Sequence, residues 1–108
     1  VICNEGVQVM AGSLIQAGVC VGENSIINTG AIIDHGCRVG RHVHIAPGAV
    51  LSGGVTLEDN VHIGTGANLI QGVRIGENTV IGAGCIITHD IESNKIVYPP
   101  KMNVRNLN

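Results

Sequence analysis

Apolar residues return at every sixth position along most of this chain. From Cys3 the column runs through Val9, Ile15, Val21, Ile27, Ile33, Val39, Ile45, Leu51, Leu57, Ile63, Leu69, Ile75 and Ile81 to Ile87, and every member after Cys3 is Val, Ile or Leu. A second column lies four residues after the first. It holds Val7, Val19, Ala31, Cys37, Val43, Ala49, Val55, Val61, Ala67, Val73, Cys85 and Ile91, with Ser13, Ser25 and Thr79 among them. Members of the two columns that stand two residues apart, such as Val19 and Val21, project to the same side of an extended segment. That side is the expected interior.

A third column explains how the chain turns. Three residues after each apolar position stands Gly at 6, 12, 18, 30, 36, 48, 54, 66, 72 and 84, with Asn24, His42, Asn60, Asn78 and Asp90 in the remaining places. These residue types best tolerate a positive φ, and Pro47-Gly48 reads as the central pair of a type II turn. Each hexad is therefore a short strand plus a corner, three hexads close a triangle, and eighteen residues make one coil. The fifteen hexads ending at residue 92 predict an all-β parallel helix of about five triangular coils. At the ordinary inter-strand spacing such a prism is roughly 24 Å long. An antiparallel sandwich would carry turn signals every 8–12 residues, and helices would not tolerate the regular glycines. Residues 93–108 depart from the beat and contain Pro99-Pro100, so they are expected to form an exposed C-terminal extension.

Composition narrows the picture. One domain is expected from 108 residues, small enough to make oligomerisation plausible. Tyr98 is the one aromatic residue, so Val, Ile and Leu must fill the core. A net charge of −2 and six scattered basic residues argue against nucleic acid or a polybasic membrane patch as partner. No apolar run is long enough to span a membrane, and a cytoplasmic location is expected. Val1 is already in phase with the repeat, so a further segment is expected to precede it. Cys3, Cys37 and Cys85 fall in interior columns and Cys20 in an outward one, with no Cys-x-x-Cys spacing. Free thiols in a reducing compartment are expected, and neither a disulfide nor a metal site.

The candidate chemistry lies in the histidines. His42 stands in the corner column, which accounts for it. His44 and His62 are eighteen residues apart and should stack on one outward face about 5 Å from each other. Such a pair suits a solvated surface, half of a metal site or the lining of a cleft between subunits. His35 and His89 precede the turn residue on one edge, three coils apart, exposed and free to meet another chain.

The run from Asn28 to Ile87 contains Asp34-His35, then His44 nine residues later, then Pro47-Gly48. It resembles the C-terminal domain of bacterial sugar O- and N-acyltransferases, the group of the sialic acid O-acetyltransferases and the UDP-N-acetylbacillosamine N-acetyltransferases. The resemblance implies a left-handed parallel β-helix and a homotrimer with acetyl-CoA lying between neighbouring prisms. It also implies a sugar or nucleotide-sugar acceptor and an N-terminal nucleotide-sugar-binding domain outside these residues. By the same resemblance His35 is the general base with Asp34 beside it, and His44 contacts the acyl-CoA. Gly64, Thr65, Gly82 and Ala83 line the CoA groove, and Lys101 in VYPPK contacts a CoA phosphate. No metal is implied. Where the group commonly carries a second acid directly after the base, this chain has Gly36, and Asp34 is separated from His35 by the alternation of a strand.

An imidazole with an ordinary pKa near 6.5 suits both proton transfers that acetyl transfer from a thioester requires. No cysteine falls beside His35, so direct transfer without an acyl-enzyme is the simpler mechanism. Two other readings of the same sequence stand beside this one. The gamma-class carbonic anhydrases share this type of prism, and His44 with His62 would supply part of their zinc site. A non-catalytic trimeric scaffold is the other, motivated by Gly36.

Overall fold

Each hexad spends four of its six residues on getting around a corner, so its strand is only two residues long. The computed structural model describes all 108 residues and contains sixteen such strands and no helix. They stack into three parallel sheets, the faces of a triangular prism. The first face holds Ile2–Cys3, Cys20–Val21, Arg38–Val39, Thr56–Leu57 and Arg74–Ile75. The second holds Gln8–Val9, Ile26–Ile27, His44–Ile45, His62–Ile63, Val80–Ile81 and Ile96–Val97. The third holds Leu14–Ile15, Ile32–Ile33, Val50–Leu51, Asn68–Leu69 and Ile86–Ile87. Register is eighteen residues throughout these faces up to Ile87, as in Ile27↔Ile45 and Leu51↔Leu69.

The corners form three edges. The first edge, between the first and second faces, turns at Gly6, Asn24, His42, Asn60 and Asn78, all at positive φ. The second edge, between the second and third faces, turns at Gly12, Gly30, Gly48, Gly66 and Gly84, and the third edge at Gly18, Gly36, Gly54 and Gly72. His42, at φ 54, is thus a turn residue, as its column requires.

Both apolar columns line the interior. Ile27, Ile33, Ile45, Leu51, Leu57, Ile63, Leu69, Ile75 and Ile81 are fully enclosed, and Val19, Ala31, Val43, Ala49, Val55, Val61 and Ala67 pack between them. Ser25 and Thr79 are the buried polar members. Ser25 Oγ donates to the Gly40 carbonyl at 2.8 Å and accepts from Val43 N at 3.0 Å, while Thr79 Oγ1 donates to Glu92 O and accepts from Lys95 N. No buried side-chain polar atom is left without a partner, which is what burial of such groups demands.

Two expectations need correction. Cys3 is exposed and Val9 is 47% exposed, because the first coil has nothing stacked on its outer side. At the other end the register shortens: Ile75 bridges Ile91, and Val80 pairs with Ile96, each sixteen residues on. Asp90 sits in the turn column but does not adopt a positive φ. Its carboxylate instead accepts the Arg74 N–H at 2.9 Å, and the next left-handed corner is Asn94, φ 60, which follows Asn78 on the first edge by sixteen residues. The shortened coil delivers Ile96–Val97 onto the second face, beyond residue 92 where the beat stops. Residues 98–108 are exposed and carry no regular structure.

Leu51 lies at the middle of the enclosed column. Leu51→Ala should lower unfolding free energy by about 2–5 kcal/mol in chemical denaturation, and a loss below about 1 kcal/mol would contradict its place in the core.

Candidate functional site

His35 stands on the third edge with its side chain exposed, and the reason it holds one orientation lies in two neighbours. The chain leaves the strand Ile32–Ile33 and bends at once, so Asp34 and His35 do not alternate as strand residues would. Asp34 Oδ1 accepts the His35 backbone N–H at 2.7 Å and lies 3.0 Å from His35 Nδ1. The backbone N–H, and after it the imidazole, hold the Asp34 carboxyl below the usual carboxylate range. A carboxylate can only accept, so Nδ1 carries the proton and Nε2 is left as the basic nitrogen. The alternation expected between Asp34 and His35 is therefore broken by the corner, and Asp34 does reach the imidazole.

The second neighbour is Gly53, one coil further along the same edge. A Cβ on Gly53 would fall 2.6 Å from His35 Cε1 and 2.8 Å from Nε2. The ring therefore lies on the space a side chain would fill. Gly53 was not singled out by motif, although its eighteen-residue offset from His35 was there to be read. Gly36 turns at φ 68 with open space around it.

His44 lies elsewhere, half-buried on the second face. His62 stacks beneath it with ring centroids 4.8 Å apart and planes at 80°, as the eighteen-residue offset requires. Desolvation, and then the neighbouring His44, lower the pKa of His62 below the usual histidine value. On the other side Asn28 Nδ2 lies 3.4 Å from His44 Nε2. Asn28 is a contact that sequence reasoning missed, since the side chain reaches across from a position sixteen residues earlier.

Thr65 and Ala83 are exposed on the second edge, which borders the His44 face. Gly64 is buried, and a Cβ there would meet Ala83 N at 2.5 Å and Ile81 O at 2.7 Å. Its missing side chain is thus required by the stacking of coils. Gly82 is similarly placed against Val97 O and the Pro99 ring. Lys101 is exposed on the C-terminal segment. His89 is exposed, with Nδ1 3.4 Å from Thr88 Oγ1. No three His, Cys, Asp or Glu side chains converge as a metal site. The thiols are all free, with Cys37 buried, donating to Ser52 O and pushed up in pKa by burial.

The expected site residues fall into two groups that one chain cannot bring together. In a triangular prism the third edge, with Asp34 and His35, is opposite the second face, with His44. Between the third edge and the Thr65–Ala83 edge lies the third face, whose outward residues are Leu14, Ile32, Val50, Asn68 and Ile86. Leu14 is 55% and Ile86 70% exposed.

Known proteins show where such prisms occur. Residues 21–53 and 54–89 match the family described as bacterial transferase hexapeptide (six repeats). Comparison with curated protein sequences finds no match. Among solved structures, the acetyltransferase domain of PglB from Neisseria gonorrhoeae in complex with acetyl coenzyme A is 38% identical, covers 87% of this chain and 47% of its own, with a TM-score of 0.82. A variant of perosamine N-acetyltransferase from Caulobacter crescentus, in complex with CoA and GDP-perosamine, is 33% identical over 88% of this chain and 48% of its own, TM-score 0.78. A maltose O-acetyltransferase from Clostridium difficile is 26% identical over 88% of this chain and 62% of its own, TM-score 0.75. This chain therefore spans about half the length of the first two. The fold is the left-handed parallel β-helix of hexapeptide-repeat proteins.

Because the folded state disfavours charging His62, it binds fewer protons than the unfolded chain wherever free histidine is protonated. Its contribution to stability is complete above the ordinary value of 6.5 and is lost as pH falls below it. The denaturation midpoint should drop between about pH 8 and pH 5, and His62→Gln should shallow that drop. Identical slopes for the two proteins would refute the assignment.

Proposed function

Since the chain belongs to the bacterial transferase hexapeptide family, we propose that it transfers the acetyl group of acetyl-CoA to a hydroxyl or amine of a sugar or nucleotide-sugar. The observation that carries this reading is the Asp34–His35 pair, which leaves a basic Nε2 on an exposed edge. The solved relatives support the cosubstrate and the acceptor class, because those proteins were captured with acetyl-CoA, CoA or GDP-perosamine.

The acceptor O–H or N–H gives its proton to His35 Nε2 while its oxygen or nitrogen attacks the thioester carbon. Asp34 stabilises the imidazolium that forms, through the Nδ1–H it already holds. The C–S bond then breaks, the acetyl group stays on the acceptor and the thiolate of CoA takes the proton from the His35 imidazolium, which returns to its neutral form. No side chain is acylated. His44 donates to the acyl oxygen, where negative charge develops, and the exposed Thr65–Ala83 edge accommodates the pantetheine arm. Lys101 meets a CoA phosphate.

The assembly is a homotrimer built on the third face. Its outward Leu14, Ile32, Val50 and Ile86 form an apolar strip of the kind that marks a contact surface. With three such faces turned to a common axis, the His35 edge of one protomer meets the His44 side of the next. Each site then needs two chains. The acceptor is held in addition by a nucleotide-sugar-binding domain that precedes these residues in the whole protein.

His35→Ala and His44→Ala should each lose acetyl transfer, roughly 100-fold or more for the base. Mixed trimers of the two variants should regain part of the wild-type rate, since some interfaces then pair an intact His35 with an intact His44. No recovery on mixing would overturn the shared site. Gly53→Ala should lower kcat about tenfold or more by displacing the His35 ring, with the melting temperature changed by only a few degrees. Unchanged kcat would show that the ring needs no such shelf.

A further inference from the structure

Asn28 and Asp34 occupy the same place in successive hexads, the residue just after the strand. Each turns its side-chain oxygen onto the next backbone N–H: Asn28 Oδ1 accepts from Thr29 N at 2.7 Å, and Asp34 Oδ1 accepts from His35 N at 2.7 Å. One geometry is thus used twice. The two residues differ in what remains to offer an imidazole. Asp34 offers only an acceptor, and to His35 Nδ1.

Asn28 offers a donor. Its Oδ1 is committed to Thr29 N, with Thr29 Oγ1 also 3.3 Å away, which fixes the amide orientation and leaves Nδ2 as the group facing His44. An amide –NH₂ can only donate, so the His44 Nε2 it faces at 3.4 Å must be bare. In a neutral imidazole the proton then resides on Nδ1.

We propose that Asn28 is a positioning residue that fixes His44 as the Nδ1–H tautomer, making it a hydrogen-bond donor through Nδ1. The consequence for catalysis rests on the acetyl-transfer reading: Nδ1–H is the donor that the acyl oxygen meets. The assignment of the tautomer itself does not depend on that reading. Two histidines nine residues apart thereby take opposite tautomers, His35 a base at Nε2 and His44 a donor at Nδ1. The identity of the residue at the strand exit, acid or amide, decides which is which. The other titratable group against His44 is His62, whose ring stands edge-on to it at 4.8 Å.

The test is to read the His44 ring nitrogens by long-range proton–nitrogen correlation spectra of the ¹⁵N-labelled protein at about pH 8.5, where unperturbed histidine is neutral. Wild type should show Nδ1 protonated and Nε2 bare. Asn28→Asp keeps the oxygen that caps Thr29 N but replaces the donor with an acceptor. It should place a proton on His44 Nε2 and lower kcat/KM for acetyl-CoA about tenfold or more. Asn28→Ala removes the donor altogether and should give a mixture of tautomers, a result that also serves if the Asp variant does not fold. A wild-type His44 protonated at Nε2, or spectra unchanged in the folded variants, overturns the proposal. Wild-type protein that turns over no acetyl-CoA with any sugar or nucleotide-sugar would instead overturn the functional reading, while the nitrogen spectra still decide the tautomer.

Discussion

The hydrogen-bond ladder between successive coils is the constraint on which the rest depends. N–H groups of one coil bond to carbonyls of the next, as from Ile26 N to Val43 O and from His44 N to Val61 O. That ladder sets residues eighteen apart one above another over most of the prism. Like therefore stacks on like: the core is made of columns, and the corners are made of columns too. A chain with one aromatic residue can build an enclosed core this way because aliphatic residues repeat at a fixed spacing, as in the stack Ile27, Ile45, Ile63 and Ile81. The same ladder assembles the polar features. It places Gly53 under His35, His62 under His44, and the Asp59 carboxylate against Arg41 N at 2.8 Å.

Whatever follows from strict periodicity was legible in the sequence. The two apolar columns, the positive-φ corners at Asn24, His42, Asn60 and Asn78, and the stacked His44–His62 pair are all statements about offsets of six and eighteen. The departures come where a local interaction outweighs the period. Asp90 has a turn residue's identity and position, yet its carboxylate is better used on Arg74 N, and the third edge has no positive-φ corner there. Cys3 and Val9 carry core identities, but burial needs a coil on both sides. Burial is a property of neighbours.

The site shows the same division. His35 and His44 were visible as residues in a motif, whereas what orients them was not. Strand alternation argued that Asp34 and His35 point apart, and it fails because a corner is not a strand. The glycines Gly64 and Gly82 also answer to the stack of coils. A groove for an extended ligand and a coil stacked closely on the next both exclude a Cβ, and at Gly64 it is the stack that does so. What faces outward there is Thr65 and Ala83, on an edge that a single chain keeps away from His35.

The sixteen-residue last coil has a bearing on how such a chain tolerates change. The last coil is shortened in a corner, so the register shifts by two residues while Ile91 and Val97 still pack against the core. A single residue lost within a strand, where alternation is strict, would instead exchange the inward and outward places of Val97 and Ile96. Parity within the strands, more than total length, is what this architecture requires. A coil can be shortened at its corner and remain part of the prism, whereas an odd step inside a strand turns that strand's faces over.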